Sequence, residues 1–305
     1  MATPLSCPLC AAAADDQFVV TNRVYGDDRG RAVFHCRCCD ARYLYPGQSP
    51  QEEAHFYAQE FESFMVGRSA SGAGWEGPER HIKANEAQRQ RRMGHLGDFL
   101  KPGARVLEFG CSSGFMLYPL VERGHHCTGI EPSGVFSAYV KERGVPCYQS
   151  LEQLTAAEGA AAKYDLVLHY YVLEHIRDPV AFLRGQLALL KPGGRIVFEV
   201  PNANDALTTL YDIPAYERFI WVVSHHWYFS ERSLAHAMEM TGGASEVRFD
   251  QRYDLSNHLI WARDGKPGGM GRFTNVLGQD LEDRYRQALV QARRCDTLIG
   301  ILSAR

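Results

Sequence analysis

No stretch of this 305-residue chain approaches the roughly 20 consecutive apolar residues that a membrane-spanning helix requires. The opening Met1-Ala2-Thr3-Pro4-Leu5-Ser6-Cys7 lacks the basic start and apolar centre of a secretion signal. A cytoplasmic protein with no membrane partner is the expectation. Charge of one sign is also lacking. With 33 Lys and Arg against 36 Asp and Glu, the net charge of -3 gives no general attraction for nucleic acid or an anionic surface. Hydrophobic content of 45% and charged content of 23% are ordinary for a globular protein. The length suits one large α/β domain plus a small accessory module.

Cysteine is not scarce, but it is unevenly spread. Of the nine, five fall in the first 39 residues, while Cys111, Cys127, Cys147 and Cys295 stand singly in apolar settings. There cysteine behaves as a small hydrophobe, so the pattern is not a disulfide framework. The early ones form two C-x-x-C pairs, Cys7-Pro8-Leu9-Cys10 and Cys36-Arg37-Cys38-Cys39, with 25 residues between them. That spacing predicts four thiolates, Cys7, Cys10, Cys36 and Cys39, around one structural zinc, with a hairpin (18–20 and 32–34) between the knuckles and Cys38 left over. A redox C-x-x-C would need a βαβ context that is missing. The few arginines here (Arg23, Arg29, Arg31, Arg37, Arg42) lack the aromatic interleaving of a nucleic-acid binder. This zinc-ribbon domain is expected over 1–48. A helical cap or linker follows over 49–100, with His55, Phe56, Tyr57, Phe61 and Phe64 on one stretch and a lid hinge at 69–74. Helical spacing fills 79–100, where Arg89-Gln90-Arg91-Arg92 reads as a solvated helix face.

Ala104-Arg105-Val106-Leu107 reads as a buried strand that stops in Glu108-Phe109-Gly110-Cys111-Ser112-Ser113-Gly114 and restarts as a helix. Small residues there let a ligand approach the backbone. A second strand, 125–130, ends in Glu131, a carboxylate placed to accept hydrogen bonds from both hydroxyls of a ribose. These features predict a site for an adenosine-containing cofactor. A pyrophosphate would call for G-x-G-x-x-G and would be repelled by Glu108; a ligand with an ammonium and a sulfonium would not. Glu108, Gly110, Cys111 (through its backbone), Ser112, Gly114, Glu131, Pro132, Ser150 and His169 are the expected cofactor contacts.

The turn resembles the first motif of class I S-adenosylmethionine-dependent methyltransferases, with Ser112 in place of the usual middle glycine. Tyr164–His169 resembles that family's fourth strand. Leu173-Glu174-His175 with Asp178-Pro179 resembles its LEH…DP segment, and Leu189-Leu190-Lys191-Pro192-Gly193-Gly194 its LKPGG turn. The pieces occur in family order from 104 to about 242. The resemblance implies an α/β Rossmann-like sheet with helices on both faces over 101–263, and S-adenosylmethionine as cofactor. Asp178-Pro179 is a helix start, Ser230 begins another helix, and Gly242-Gly243 ends it. Strands near 246–252 and 258–263 are expected to complete the sheet. Residues 264–305 read as a loop and a helix packed on the domain, leaving monomer or homodimer open.

Methyl transfer is an in-line displacement, and a hydroxyl or carbon-acid acceptor needs a base. His169, at the end of the fourth strand, and His225 are the candidates; Glu174 and His175 are expected to shape the pocket. Ser224-His225-His226-Trp227-Tyr228-Phe229-Ser230 resembles the EHxSYFS segment of zinc-ribbon-bearing sugar C-methyltransferases, in which the matching histidine is implicated in proton removal. Ser224 and Val222 stand where that family has glutamate and tyrosine, which weakens C-methylation in particular. Tyr170, Tyr171, Trp221 and Trp227 are candidate acceptor-pocket walls. The expected acceptor is a small molecule, with a nucleotide-linked or glycan sugar methylated on carbon or oxygen as the leading class. Two other readings are a non-catalytic cofactor-binding scaffold and a zinc-ribbon RNA methyltransferase.

Overall fold

The computed structural model describes residues 3–56, 64, 77–159 and 163–304. Tyr57, Phe61 and the 69–74 loop therefore lie outside the described residues. The N-terminal hairpin forms as predicted: β1 (Gln17–Thr21) pairs antiparallel with β2 (Ala32–Cys36), which pairs with β3 (Arg42–Tyr45). A fourth strand joins from far along the chain. β9 (Trp227–Tyr228) pairs with β3 through Arg42↔Tyr228 and Tyr43↔Trp227.

The large sheet has seven strands: β4 (Arg105–Phe109), β5 (His126–Ile130), β6 (Cys147–Tyr148), β7 (Tyr164–Tyr170), β8 (Leu190–Pro201), β10 (Ala244–Asp250) and β11 (Thr297–Ser303). Their order is β6-β5-β4-β7-β8-β11-β10; β4 to β8 run parallel, and β11 enters antiparallel between β8 and β10. Central strands covered on both faces carry continuous apolar runs rather than alternation. Val106, Leu107, Leu166, Val167, Leu168, Ile196 and Phe198 are accordingly buried. One face packs on helices Pro179–Leu187 and Glu231–Glu239 and on the cysteine ribbon, and the other on Leu96, Met116, Leu120 and Val140. Asp178 caps the first of these helices at the Ala181 amide with proline next in line, and Ser230 caps the second at the Ser233 amide, as the sequence predicts.

The strand expected at 258–263 is a helix instead. Leu255–Asp264 is capped by Asp254, whose carboxylate accepts from Asn257 N at 2.8 Å, and it ends at Gly265 in the left-handed region. Ile260 and Trp261 are buried on it, while Leu259 is exposed. The strand's place is taken by Thr297–Ser303, so the segment read as a loop and helix supplies an inner strand of the sheet. Gly300 sits there because the Phe198 ring lies where a β-carbon would be. Among the described residues no helix is long and apolar enough to cross a membrane.

Candidate functional site

Register brings the predicted cofactor residues together. Phe109 is level with Ile130 on β5 and with His169 on β7, so Gly110, Glu131 and Tyr170 all emerge at the same edge of the sheet. That carboxyl edge is where open α/β sheets bind ligands. Gly110 has φ of +67°, and a β-carbon on it would come within 2.8 Å of Val172. The turn thus depends on glycine for both conformation and space. Ser112 takes a left-handed φ of +50°, and its N–H donates to Glu131 Oε2 at 2.8 Å, while Ser133 N–H donates to Oε1 at 2.9 Å. Burial pushes the Glu131 carboxyl up and these backbone donors pull it back. Cys111 turns its thiol inward, 3.7 Å from Cys147 Sγ, leaving only its backbone on the turn. Pro132 is exposed beside Glu131. Ser150 does not offer a free hydroxyl: it caps the next helix by accepting from Gln153 N at 3.3 Å.

Two residues that the sequence reading missed also meet the turn. His81, on helix Pro78–Ala84, is buried with Nδ1 2.9 Å from Ser113 Oγ and its ring edge-on to Phe136. Burial, with Arg92 nearby, drives its pKa down to about 4, so it stays neutral. Arg92, on helix Glu86–Leu96, is buried with its guanidinium 4.0 Å from the Tyr170 ring and Nε 3.0 Å from Glu199 Oε2. Arg91 pairs with the same Glu199 at 2.8 Å and with Asp250. The basic run is thus not a solvated face: helical spacing turns Arg92 inward with Leu96, four residues on, to meet a carboxylate at the end of β8. Glu108 is 2% exposed, and its Oε2 has no hydrogen-bond partner among the described residues. Burial raises its pKa well above the usual carboxylate range, with Arg92 opposing.

His169 is not a base in this geometry. Its ring stacks on Phe198 at 4.5 Å and meets Phe182 at 5.5 Å, it is fully buried, and burial lowers its pKa to about 3. Alternation along β7 sends its side chain into the face under helix Pro179–Leu187, against Phe182. A different group gathers past the strand. A carboxylate oxygen of Glu174 and ring nitrogens of His175 and His225 lie within 4.8 Å of one another. Donors at that separation can hold a divalent cation or share protons. His175 Nδ1 donates to the Ser224 carbonyl at 2.8 Å, which leaves Nε2 as the basic nitrogen, and its ring stands edge-on to His225 at 4.7 Å. Glu174 is wholly buried, which raises its pKa to about 8. His226 is tied to Glu53 at 2.6 Å. Trp227 donates to the Ile176 carbonyl at 3.0 Å, and Trp221 packs edge-on against Tyr228, so neither tryptophan is a free wall.

The four knuckle cysteines cluster with their sulfurs within 4.8 Å of one another, Cys7 to Cys39 at 3.7 Å and Cys10 to Cys36 at 3.6 Å. Sulfurs on a tetrahedron with bonds of about 2.3 Å would stand about 3.8 Å apart. Leu9 N–H and Gln17 Nε2 donate to Cys7 and Cys36 sulfurs. Cys38 is exposed and outside the group.

Residues 85–243, more than half of the chain, match a family model described as a methyltransferase domain. The ubiquinone biosynthesis O-methyltransferase of Aeromonas salmonicida (strain A449) is 38% identical over 109 residues, 33% of this chain and 45% of that one. That of Methylobacterium sp. (strain 4-46) is 28% identical over 155 residues, 48% of this chain and 62% of that one. The chain thus spans about half the length of the curated relatives it matches. Among solved structures, a SAM-dependent methyltransferase from Archaeoglobus fulgidus aligns with a TM-score of 0.50 at 17% identity, covering 72% of this chain and 93% of that one. A methyltransferase complexed with the Haloferax volcanii activator Trm112 aligns with a TM-score of 0.52 at 17% identity, covering 80% and 97%. These two show the fold. On the family match the chain belongs to the methyltransferase-domain family, and its fold is that of the class I S-adenosylmethionine-dependent methyltransferases.

Proposed function

We propose that the protein transfers a methyl group from S-adenosylmethionine to a hydroxyl oxygen of a small molecule. The observation that carries the reading is Glu131 poised over the Gly110–Gly114 turn, with the orphaned carboxyl of Glu108 beneath it. Glu131 would hold the ribose hydroxyls, the turn's backbone the methionine portion, and Glu108 the ammonium. Arg92, buried and with its charge acting on the Glu108 carboxyl, is proposed as the cation for the cofactor's carboxylate. Bound there, S-adenosylmethionine supplies an electrophilic methyl. The chain's own part is to align the acceptor, exclude water and take the hydroxyl proton.

His225 is the proposed base, working with Glu174 and His175. The oxygen acceptor is favoured over carbon because Ser224 and Val222 lack the groups a carbon acid needs, and because the relatives reported above are named O-methyltransferases. A nucleotide-linked sugar remains an acceptor to screen, on the motif around His225. The four cysteines are proposed to hold one Zn2+ as a closed structural site, in an accessory ribbon over 1–48 that borrows β9 from the catalytic domain.

Titrating the purified protein with S-adenosylmethionine and NADH, then assaying S-adenosylhomocysteine release, tests the reading. Selective binding of the former is expected, and NADH binding or no binding defeats it. His225→Ala is expected to lower turnover about a hundredfold with cofactor affinity unchanged; full activity removes His225 as the base. Glu174→Gln tests the buried carboxyl through stability. A carboxyl whose folded pKa is raised to about 8 keeps its proton in the fold but loses it in the unfolded chain. Its contribution is complete below the unfolded pKa of about 4.3 and is lost as pH rises through the folded value. Wild-type melting temperature should therefore fall between pH 5 and 8 relative to the variant, and parallel curves would show that Glu174 is not held protonated.

A further inference from the structure

We propose that Arg252 anchors an anionic oxygen group, carboxylate or phosphate, carried by the methyl acceptor. The inference rests on the methyl-transfer reading and adds to it the chemical class of the substrate. Arg252 leaves the end of β10, at the same sheet edge where β7 and β8 finish. Its guanidinium carbon lies 4.3 Å from the centre of the Tyr171 ring and 5.0 Å from that of Tyr253, within cation–π reach of both. Tyr171 is fixed as a platform by a 2.7 Å hydrogen bond from its hydroxyl to Thr297 Oγ1 and by a left-handed φ of +58°. Three residues further on comes Glu174, which with His225 is buried in the base cluster.

The guanidinium is held in place but poorly partnered. Its one side-chain hydrogen bond among the described residues is a long one, 3.4 Å to the Tyr253 hydroxyl, and its Nε is buried without an acceptor. The charges of Asp296 and Glu199 face it and favour its cationic form, but their hydrogen bonds among the described residues go to other donors. Asp296 accepts from the backbone N–H groups of Arg252 and Tyr253, from Gln251 Nε2 and from Thr297 Oγ1. Glu199 is held by Arg91 and Arg92. A permanent cation with its Nε out of water and no bidentate partner among the described residues keeps donors to offer a ligand. It has the geometry that carboxylate and phosphate recognition uses. An acceptor gripped there would reach from Tyr171 toward the Glu174–His175–His225 cluster, which sets which hydroxyl meets the base.

The test uses the full chain, with and without saturating S-adenosylhomocysteine. Benzoate and inorganic diphosphate are titrated by calorimetry into wild type, Arg252→Met and Arg252→Lys. Wild type is expected to bind one of the two anions, with affinity at least tenfold weaker in Arg252→Met and intermediate in Arg252→Lys. S-Adenosylhomocysteine affinity should not change. Preference for benzoate identifies a carboxylate acceptor, and preference for diphosphate a nucleotide-linked one. Equal binding by wild type and variants, or no binding of either anion to wild type, overturns the proposal. A parallel loss of S-adenosylhomocysteine affinity overturns it too, because Arg252 would then serve the cofactor. Should Arg252→Met not fold, Arg252→Lys decides, since it keeps the charge and removes the fork. Failure of wild type to bind S-adenosylhomocysteine would instead sink the methyl-transfer reading, and the anion titration without it still settles Arg252.

Discussion

Glu131→Ala is expected to bind S-adenosylmethionine about a thousandfold more weakly than wild type while melting close to it. Two charge-assisted hydrogen bonds to a ribose contribute roughly 1.5–3 kcal/mol each, and about 4 kcal/mol corresponds to three decades in affinity. The loss has a second source in this chain. In the free protein the same carboxylate accepts from Ser112 N and Ser133 N, and so holds the glycine turn against β5. Alanine removes the ribose acceptor and loosens the turn together, so the entropy of ordering the loop falls on the binding step. The fold should survive because Gly110 N and Cys111 N still donate to the Ile130 carbonyl, and the strands beneath are unaffected. Calorimetry of Glu131→Ala, with Glu131→Gln beside it, checks this. Glutamine keeps one acceptor oxygen and should retain a measurable part of the affinity. If alanine binds as tightly as wild type, Glu131 is not the ribose residue.

What the sequence disclosed tracks how local the physics is. The place of Glu131 just past the end of its strand is legible because a strand ending in a carboxylate is a one-segment signal, and Asp178-Pro179 because capping is settled within four residues. The knuckle spacing singled out Cys7, Cys10, Cys36 and Cys39 and left Cys38 aside, and the structure gathers those four. Misreadings arose where packing decides. His258-Leu259-Ile260-Trp261 carries apolar residues that suit either a strand or a helix, and only the Asp254 cap and the burial of one face choose the helix. Thr297–Ser303 is a plain apolar run that follows a helix and pairs with residues 47 to 106 positions earlier, so nothing local marks it as a strand. His169 was placed correctly on its strand but on the wrong side of the question. Its position at the strand's end was visible in sequence, whereas the sheet face it points to depends on Phe182 and Phe198. Arg92, His81 and Arg252 had no motif to announce them. Each is defined by a partner far along the chain.

Replacing Cys36 with serine, or stripping the proposed zinc with a strong chelator, is expected to unfold the ribbon and carry damage into the catalytic domain. A four-thiolate site supplies folding free energy directly, and losing on the order of 5 kcal/mol lowers the melting midpoint of a chain this size by roughly 10 °C. Without a cation, four crowded sulfurs cannot all ionise. Accepting a hydrogen bond from Cys39 pulls the Cys7 thiol down to about 5, while burial pushes Cys10 up to about 11. The ribbon is not a separable ornament, because Cys7, Leu9, Cys36 and Tyr43 lie in the same apolar cluster as Phe198, Trp227 and Leu234. Ser230, the cap of helix Glu231–Glu239, donates to the Asp40 carbonyl, and Arg232 donates to that of Cys38. Once β3 is lost, β9 has no strand partner among the described residues, and β9 follows directly on His225 and His226. Turnover should therefore fall with metal content, whereas cofactor affinity, proposed to be set at β4 and β5 on the far side of β7, should fall less. Metal analysis, melting curves and S-adenosylmethionine titration on Cys36→Ser and on Cys38→Ser separate the cases. Cys38→Ser should behave as wild type. A Cys36→Ser protein that keeps one metal per chain and an unchanged midpoint would remove the four-cysteine site from the fold's energetics.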